Sequence, residues 1–344
     1  MDDRPGSGAI AAKPAGPIVM VATGRAAVFA VAGFAILAAL AAPYWASPYT
    51  ITMMLPFFAY AIGLLGFNLL FGTAGLLSFG HALFLGLGAY TAAVMTGRFG
   101  IRSLELILLA SISVGVVAAL IIGVLCVRYT RIFFGMLTLS FGMLFHSFLI
   151  KFYAVTGGDT GMTVARPSLL GMSFADLPRV VFVTGPFYYY ALALLIIATV
   201  LMLRIVHSPF GLHLRAQRDN ARKAEYLGVK VHAFRLAAFA ISAAYCAVAG
   251  VLLAVRSGNA DPELAYWTHS GELVFMTVLG GFSSFAGPIV GAFSFIFLRD
   301  WLMTFTEFWR LAMGILLLLI VVYFPRGIVG MAEDFAAWFR RSRP

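Results

Sequence analysis

Three arginines recur at a spacing that can do work. Arg215, Arg218 and Arg222 stand at i, i+3 and i+7 in the stretch 208–235, SPFGLHLRAQRDNARKAEYLGVKVHAFR. On a helix this puts them on one face. Leu212, Ala216, Ala224 and Leu227 form a second, apolar row, and Gly228 supplies a helix stop. Small apolar residues beside a row of guanidinium groups suit a surface that docks against another protein. The same charges also suit a solvated loop that only sets membrane orientation.

Other polar groups sit inside apolar surroundings. Ser78 and His81 lie three apart in 72–90, GTAGLLSFGHALFLGLGAY, with Phe84 on the next turn. Glycines at 72, 75, 80, 86 and 88 leave this stretch little bulk, so backbones can approach or turn there. Either these residues line a substrate path, or the helix packs tightly and His81 bonds a neighbouring carbonyl. Thr138, Ser140 and His146 pose the same choice in MLTLSFGMLFHSF. Thr and Ser within a span usually bond back to their own helix. Lys151 is explained by snorkelling. Gly157, Gly158 and Asp159, in TGGDTG, read as an exposed tight turn and a candidate contact for an external partner.

The elements that position these groups are transmembrane helices. The chain has 344 residues, 62% hydrophobic and 11% charged. A soluble domain carries about 25% charged residues, which excludes an ordinary globular protein. The net charge of +10 is scattered between apolar runs, the pattern of positive-inside loops rather than of a nucleic-acid binder. Spans are expected near 26–42, 50–71, 76–96, 104–127, 132–153, 187–206, 235–255, 270–282, 286–305 and 310–324. The fold class is therefore all-α and polytopic, with about ten transmembrane helices of about 20 residues each. The segment 270–282 is too short for one straight crossing and ends in Gly280-Gly281, so it is read as broken or re-entrant.

The apolar run 26–42 contains Ala39-Leu40-Ala41, which resembles a cleavage site, but Asp2 and Asp3 are wrong for a basic leader. It is read as a retained first helix, after a disordered 1–25. Arg4, Lys13, Arg25, Arg128, Arg131, the 208–235 loop, Arg326 and the tail 331–344 with Arg340, Arg341 and Arg343 fall on one side. That side is the more basic, so it is taken as cytoplasmic, with both termini. The loops 154–186 and 256–269 then lie outside. Phe187-Tyr188-Tyr189-Tyr190 and Tyr266-Trp267 read as interfacial aromatic belts, and Cys126 and Cys246 as packed thiols.

No G-x-x-x-x-G-K-[ST] phosphate loop or H-E-x-x-H motif occurs, and carboxylates are nearly missing from span centres. This argues against nucleotide hydrolysis by this chain, against an enzyme, and against a proton- or sodium-coupled carrier. A channel or secondary carrier working without an ATPase remains the alternative class.

Four blocks resemble the inner-membrane permease subunits of bacterial ABC importers for branched-chain amino acids and related solutes. They are GTAGLLSFGHALFLGLGAYTAA, TGGDTGMTVARPSL, SPFGLHLRAQRDNARKAEYLGV with KVHAFRLAAFAISAAYCAVAGVL, and GELVFMTVLGGFSSFAGPIVGAF with GILLLLIVVYFPRGIVG. The resemblance spans nearly everything from the second span to Gly330 and makes 26–330 a permease domain. It implies two ATPase subunits that hold ATP and magnesium, a second, related permease subunit, and a periplasmic solute-binding protein, all at a lipid membrane. No cofactor is expected in this chain itself. It implies that 208–235 is a coupling loop, in which Gly211, Arg215, Ala216 and Arg218 match the family's loop and Ala224 and Gly228 its EAA-type pattern. Arg222 stands where the strict pattern has Glu; the looser form places that position at Ala221. A vitamin B12-importer-like (type II) architecture follows by analogy. The expected solute is a branched-chain amino acid, with urea, short amides and aromatic acids as alternatives.

Overall fold

The computed structural model describes residues 22–129, 132–174, 177–323 and 326–331. The expected disordered N-terminus up to residue 21, with Arg4 and Lys13, lies outside the described residues. So do Arg131 and the tail from 332, with Arg340, Arg341 and Arg343. Two compact units are present. The first ends at Trp45 and holds α1 (Ala22–Trp45), which starts before the expected position 26.

The second unit, from Ala46, carries the rest. In chain order its helices are α2 (Pro48–Asn68), α3 (Ala82–Gly97), α4 (Leu104–Cys126), α5 (Ile132–Lys151), a single turn α6 (Tyr153–Thr156), α7 (Arg179–Thr184), α8 (Pro186–His207) and α9 (Pro209–Tyr226). Then come α10 (Val231–Ser257), α11 (Trp267–Gly280), α12 (Gly287–Phe305) and α13 (Trp309–Tyr323). Among the described residues, six stretches are long and apolar enough to cross a membrane: Pro48–Thr73, Leu104–Cys126, Ile132–Lys151, Arg179–His207, Val231–Ser257 and Gly287–Phe305.

Sequence explains why the centre is where it is. The window of α2 is 83% buried and that of α10 is 72% buried, against 28% for α5 and for α12. α10 presents Ala243, Ala247, Ala249 and Gly250 to its neighbours, so helices can press close on several sides. A Cβ on Gly88 of α3 would strike the carbonyl of Ala247, and one on Gly250 would strike that of Leu85. The two helices thus cross backbone to backbone. α2 starts on Ser47, whose Oγ accepts from Thr50 N at 3.3 Å, with Pro48 in the first turn.

One span departs from expectation. The run 76–96 is not one helix. α2 ends in a π-helical turn, Leu69–Thr73, and an irregular strap, 74–81, leads to α3. α3 has 16 residues, about 24 Å of helix, which falls short of about 30 Å of hydrocarbon. The strap packs tightly: a Cβ on Gly80 would collide with the carbonyl of Thr138 in α5. The segment read as broken is α11, 14 residues ending at Gly280. Gly281 has φ +105°, the chain turns over 281–286, and α12 packs back along α11 as a hairpin.

The loops gather on one face. β1 (Met162–Thr163) pairs antiparallel with β2 (Asn259–Ala260). Arg98 at the end of α3 donates to Val155 O at 2.7 Å, and Leu104 N to Ser168 O at 3.0 Å. The loops 154–186 and 256–269 thus share a side, as expected from the charges. α8 and α10 run from that face for 22 and 27 residues, about 33 and 40 Å, to α9 at their far ends.

The aromatic-belt reading of 187–190 is corrected in part. Phe187 and Tyr188 are fully buried, Tyr188 against Phe58 at 5.2 Å between centroids and Phe187 stacked on Phe182 at 5.7 Å. They are core, because α2 and α7 close over them. Cys126 and Cys246 are buried and free.

Candidate functional site

α9 is built to stay on the surface yet remain fixed. Phe210 and His213 stack on Phe234 of α10, at 5.6 and 4.8 Å. Gly211 is buried where a Cβ would strike the carbonyl of Val206. Arg215 Nη2 donates to that same carbonyl at 2.6 Å, stapling the α8–α9 corner. The buried face is Gly211, Leu214 and Gln217, with Ala224 further on.

This corrects the expected apolar row. Leu212 is 65% exposed and Leu227 84% exposed, and Ala216 is exposed, so only Ala224 of the four faces inward. Leu212 and Ala216 share a face, but it is the outward one, and beyond them α9 is not one helix. Asn220 has φ −157° and ψ 100°, a break in the middle. Its side chain accepts from Lys223 N at 3.0 Å, so it caps a second short helix that begins after it. Arg222 therefore does not share a continuous face with Arg215 and Arg218. The second helix closes on Gly228, φ +86°, with Val229 N bonded to Ala224 O at 3.0 Å, as the glycine foretold. Its tip is open to solvent: Tyr226 is 89% exposed, and Arg222 and Lys223 are exposed.

Arg218, though exposed, reaches back to the ends of the neighbouring elements. Its Nη1 donates to the carbonyl of Gly72 at the end of α2. Its guanidinium lies 5.8 Å over the ring of Phe282, in the turn after α11. Phe282 packs on Phe71 at 5.2 Å. The stem crosses the strap at Gly75, where φ is +75° and a Cβ would sit 2.8 Å from Arg218 Cγ. One side chain thus touches the ends of three elements.

Above this junction the strap enters the core. His81 is fully buried. Its Nδ1 is 2.7 Å from Ser78 Oγ and its Nε2 is 2.8 Å from Ser242 Oγ in α10. Phe67, Phe84 and Phe239 surround the ring at 5.1 to 5.5 Å between centroids. Hydroxyls, not a neighbouring carbonyl, satisfy the histidine. Thr138 is buried beside Gly80 and bonds back to Phe134 O and Gly135 O at 3.0 and 2.9 Å.

A family model described as "Branched-chain amino acid transport system / permease component" matches residues 49–322. The chain belongs to this family. Among curated relatives, the high-affinity branched-chain amino acid transport system permease protein LivM of Escherichia coli (strain K12) is 27% identical over 316 residues, 86% of this chain and 73% of that protein. LivH of Salmonella typhimurium is 24% identical over 296 residues, 80% and 92% of the two chains. BraD of Pseudomonas aeruginosa is 25% identical over 291 residues, again 80% and 92%. No solved structure matches the chain significantly.

In this permease the residues singled out from sequence fall into three places. Ser78, His81 and Phe84 come together in the core, and Thr138 abuts the strap. None of the four lines the two apolar cavities, about 550 and 330 Å³, which open between α3, α4 and α5 around Leu87, Phe145 and Phe148. Gly157 and Gly158, both at positive φ, form a turn on the loop face, but Gly158 is buried and Gly157 half-buried, so of the three only Asp159 is exposed as expected. The residues singled out in α9 lie on the opposite face. Sequence reasoning missed Ser242, Phe282 and Asn220. Only Asn220 carried a local signal, as an Asn ahead of a short helical run.

Proposed function

We propose that the chain is the permease subunit of an ABC importer that admits a branched-chain amino acid, with ATP and magnesium held by two separate ATPase subunits. One observation carries the reading: within a permease family member, the tip of α9 stands clear on the face opposite the loops, with Tyr226 and Leu227 exposed. That is a handle for a motor outside the membrane. The α9 face is then cytoplasmic, in the inner membrane, and the loop face with Gly157, Gly158 and Asp159 receives a solute-binding protein. About ten segments traverse the bilayer, of about 20 residues each where complete, in a type II-like arrangement. That relatives include both a LivM and a LivH supports a second, related permease subunit as partner. Ser78, His81, Phe84 and Thr138 line the path only once the strap has moved.

Nucleotide binding draws the motors together, α9 follows, and the solute acts through its differential affinity for the two states. Reconstitution with cognate ATPases, partner permease and binding protein tests this. Leucine uptake that needs ATP and every subunit is expected; uptake without any ATPase would establish a carrier or channel instead. Urea, short amides and aromatic acids in the same assay decide the solute.

A further inference from the structure

Arg218 sits, exposed, on the helix that faces the motor, yet its guanidinium is engaged by the permease's own Gly72 carbonyl and Phe282 ring. We propose that α9 has two parts with different work. The tip, 221–227, is the surface that meets the motor. Arg218 is a positioning residue that carries the tip's displacement into the transmembrane unit. The inference rests on the importer reading above and adds the route of the motion.

The break at Asn220 separates the parts, and its cap on Lys223 N makes the joint a defined one. Before the break, His213 and Arg215 fix α9 to α10 and to the corner with α8. After it, Tyr226 and Leu227 are almost bare. Arg218 lies just before the joint. Its planar head donates to Gly72 O while one face lies over Phe282, a pair of contacts that the point charge of lysine cannot reproduce. A Cβ on Gly72 would strike both the carbonyl of Phe282 and the side chain of Asn68, so α2 and the α11–α12 turn are in backbone contact there. Drawing on the Gly72 carbonyl moves both. Gly75 brings the strap, and with it Ser78 and His81, under the same stem.

A second observation concerns the polar groups near this junction. Gln217 is buried with both amide atoms unpartnered among the described residues, and so is Oδ1 of Asn68, one turn before Gly72. Buried amides are normally paired.

The experiment uses the full importer, co-expressed and purified through a tag on this chain. Arg218→Ala and Gly75→Ala are expected to retain the ATPase. Solute taken up per ATP hydrolysed should fall at least about fivefold, the low end of measured coupling between sites. Arg218→Lys should be intermediate, and Arg218→Ala with Gly75→Ala should lose no more than either alone. Leu227→Asp with Tyr226→Ala should instead lose the ATPase. If Arg218→Ala misfolds by gel filtration, Arg218→Lys and Gly75→Ala decide. Loss of the ATPase in the Arg218 or Gly75 variants overturns the inference, as does unchanged uptake per ATP, or retention of the ATPase by the tip variant. If the unaltered chain brings down no ATPase, the importer reading itself fails, and this inference with it.

Discussion

Arg256 completes a helix that Pro56 leaves open. Proline has no N–H, so Pro56, inside α2, leaves the carbonyl of Thr52 without its helical donor. The Nε of Arg256, from the last turn of α10, donates to Thr52 O at 3.3 Å. A charge that looks like a loop residue in sequence is a backbone donor by proxy, tying α10 to α2 near the loop face.

Arg256→Gln should therefore destabilise the permease by about 1 kcal/mol, the net worth of one hydrogen bond to a part-buried carbonyl. Pro56→Ala restores the intrahelical donor, so the same change made in that background should cost much less. Cys126 and Cys246 are buried and free, so a thiol-reactive dye reads unfolding in detergent directly. Equal losses in both backgrounds would break the link.

The His81–Ser242 contact makes a second prediction. Ser242→Ala removes one partner of a buried imidazole and should lower stability by about 1–3 kcal/mol. His81→Ala strands both hydroxyls and opens a hole among Phe67, Phe84 and Phe239, so it should cost more than Ser242→Ala in the same melting assay. A histidine variant as stable as the native chain would place the ring outside the packed core.

Backbone crossings predict where bulk is refused. Gly88→Leu and Gly250→Leu place atoms where the carbonyls of Ala247 and Leu85 stand, and should abolish a monodisperse gel-filtration peak. Gly271 in α11 has nothing within 4 Å of a built Cβ. Gly271→Ala should stabilise by up to about 1 kcal/mol through helix propensity alone.

Topology is tested by labelling. Asp159→Cys and Tyr226→Cys both expose their thiols, on the loop face and on the α9 face. A membrane-impermeant maleimide added to intact cells should modify the first and spare the second, with the reverse in inverted vesicles. Labelling of both from one side would refute the orientation.

What could be read from the sequence was local. Apolar runs give helices because each run carries its own hydropathy, and Gly228 ended its helix because only the neighbouring chain matters there. The strap showed a trace of itself in Gly75 and Gly80, though hydropathy alone made 76–96 continuous. The three-arginine face failed at a single residue, Asn220, whose extended backbone resets the helical phase. Phe187 and Tyr188 were misplaced because their burial depends on Phe58 and Phe182. Ser242 is 161 positions from His81, and no local pattern joins them.

The tie between Arg179 and the carbonyl of Arg256, at 3.1 Å, stands at the top of a closed frame. α8 and α10 are its uprights, α9 is its sill, and the β1–β2 pair braces the lintel. Because the sill is jointed at Asn220, the two uprights are tied firmly at the lintel and flexibly below.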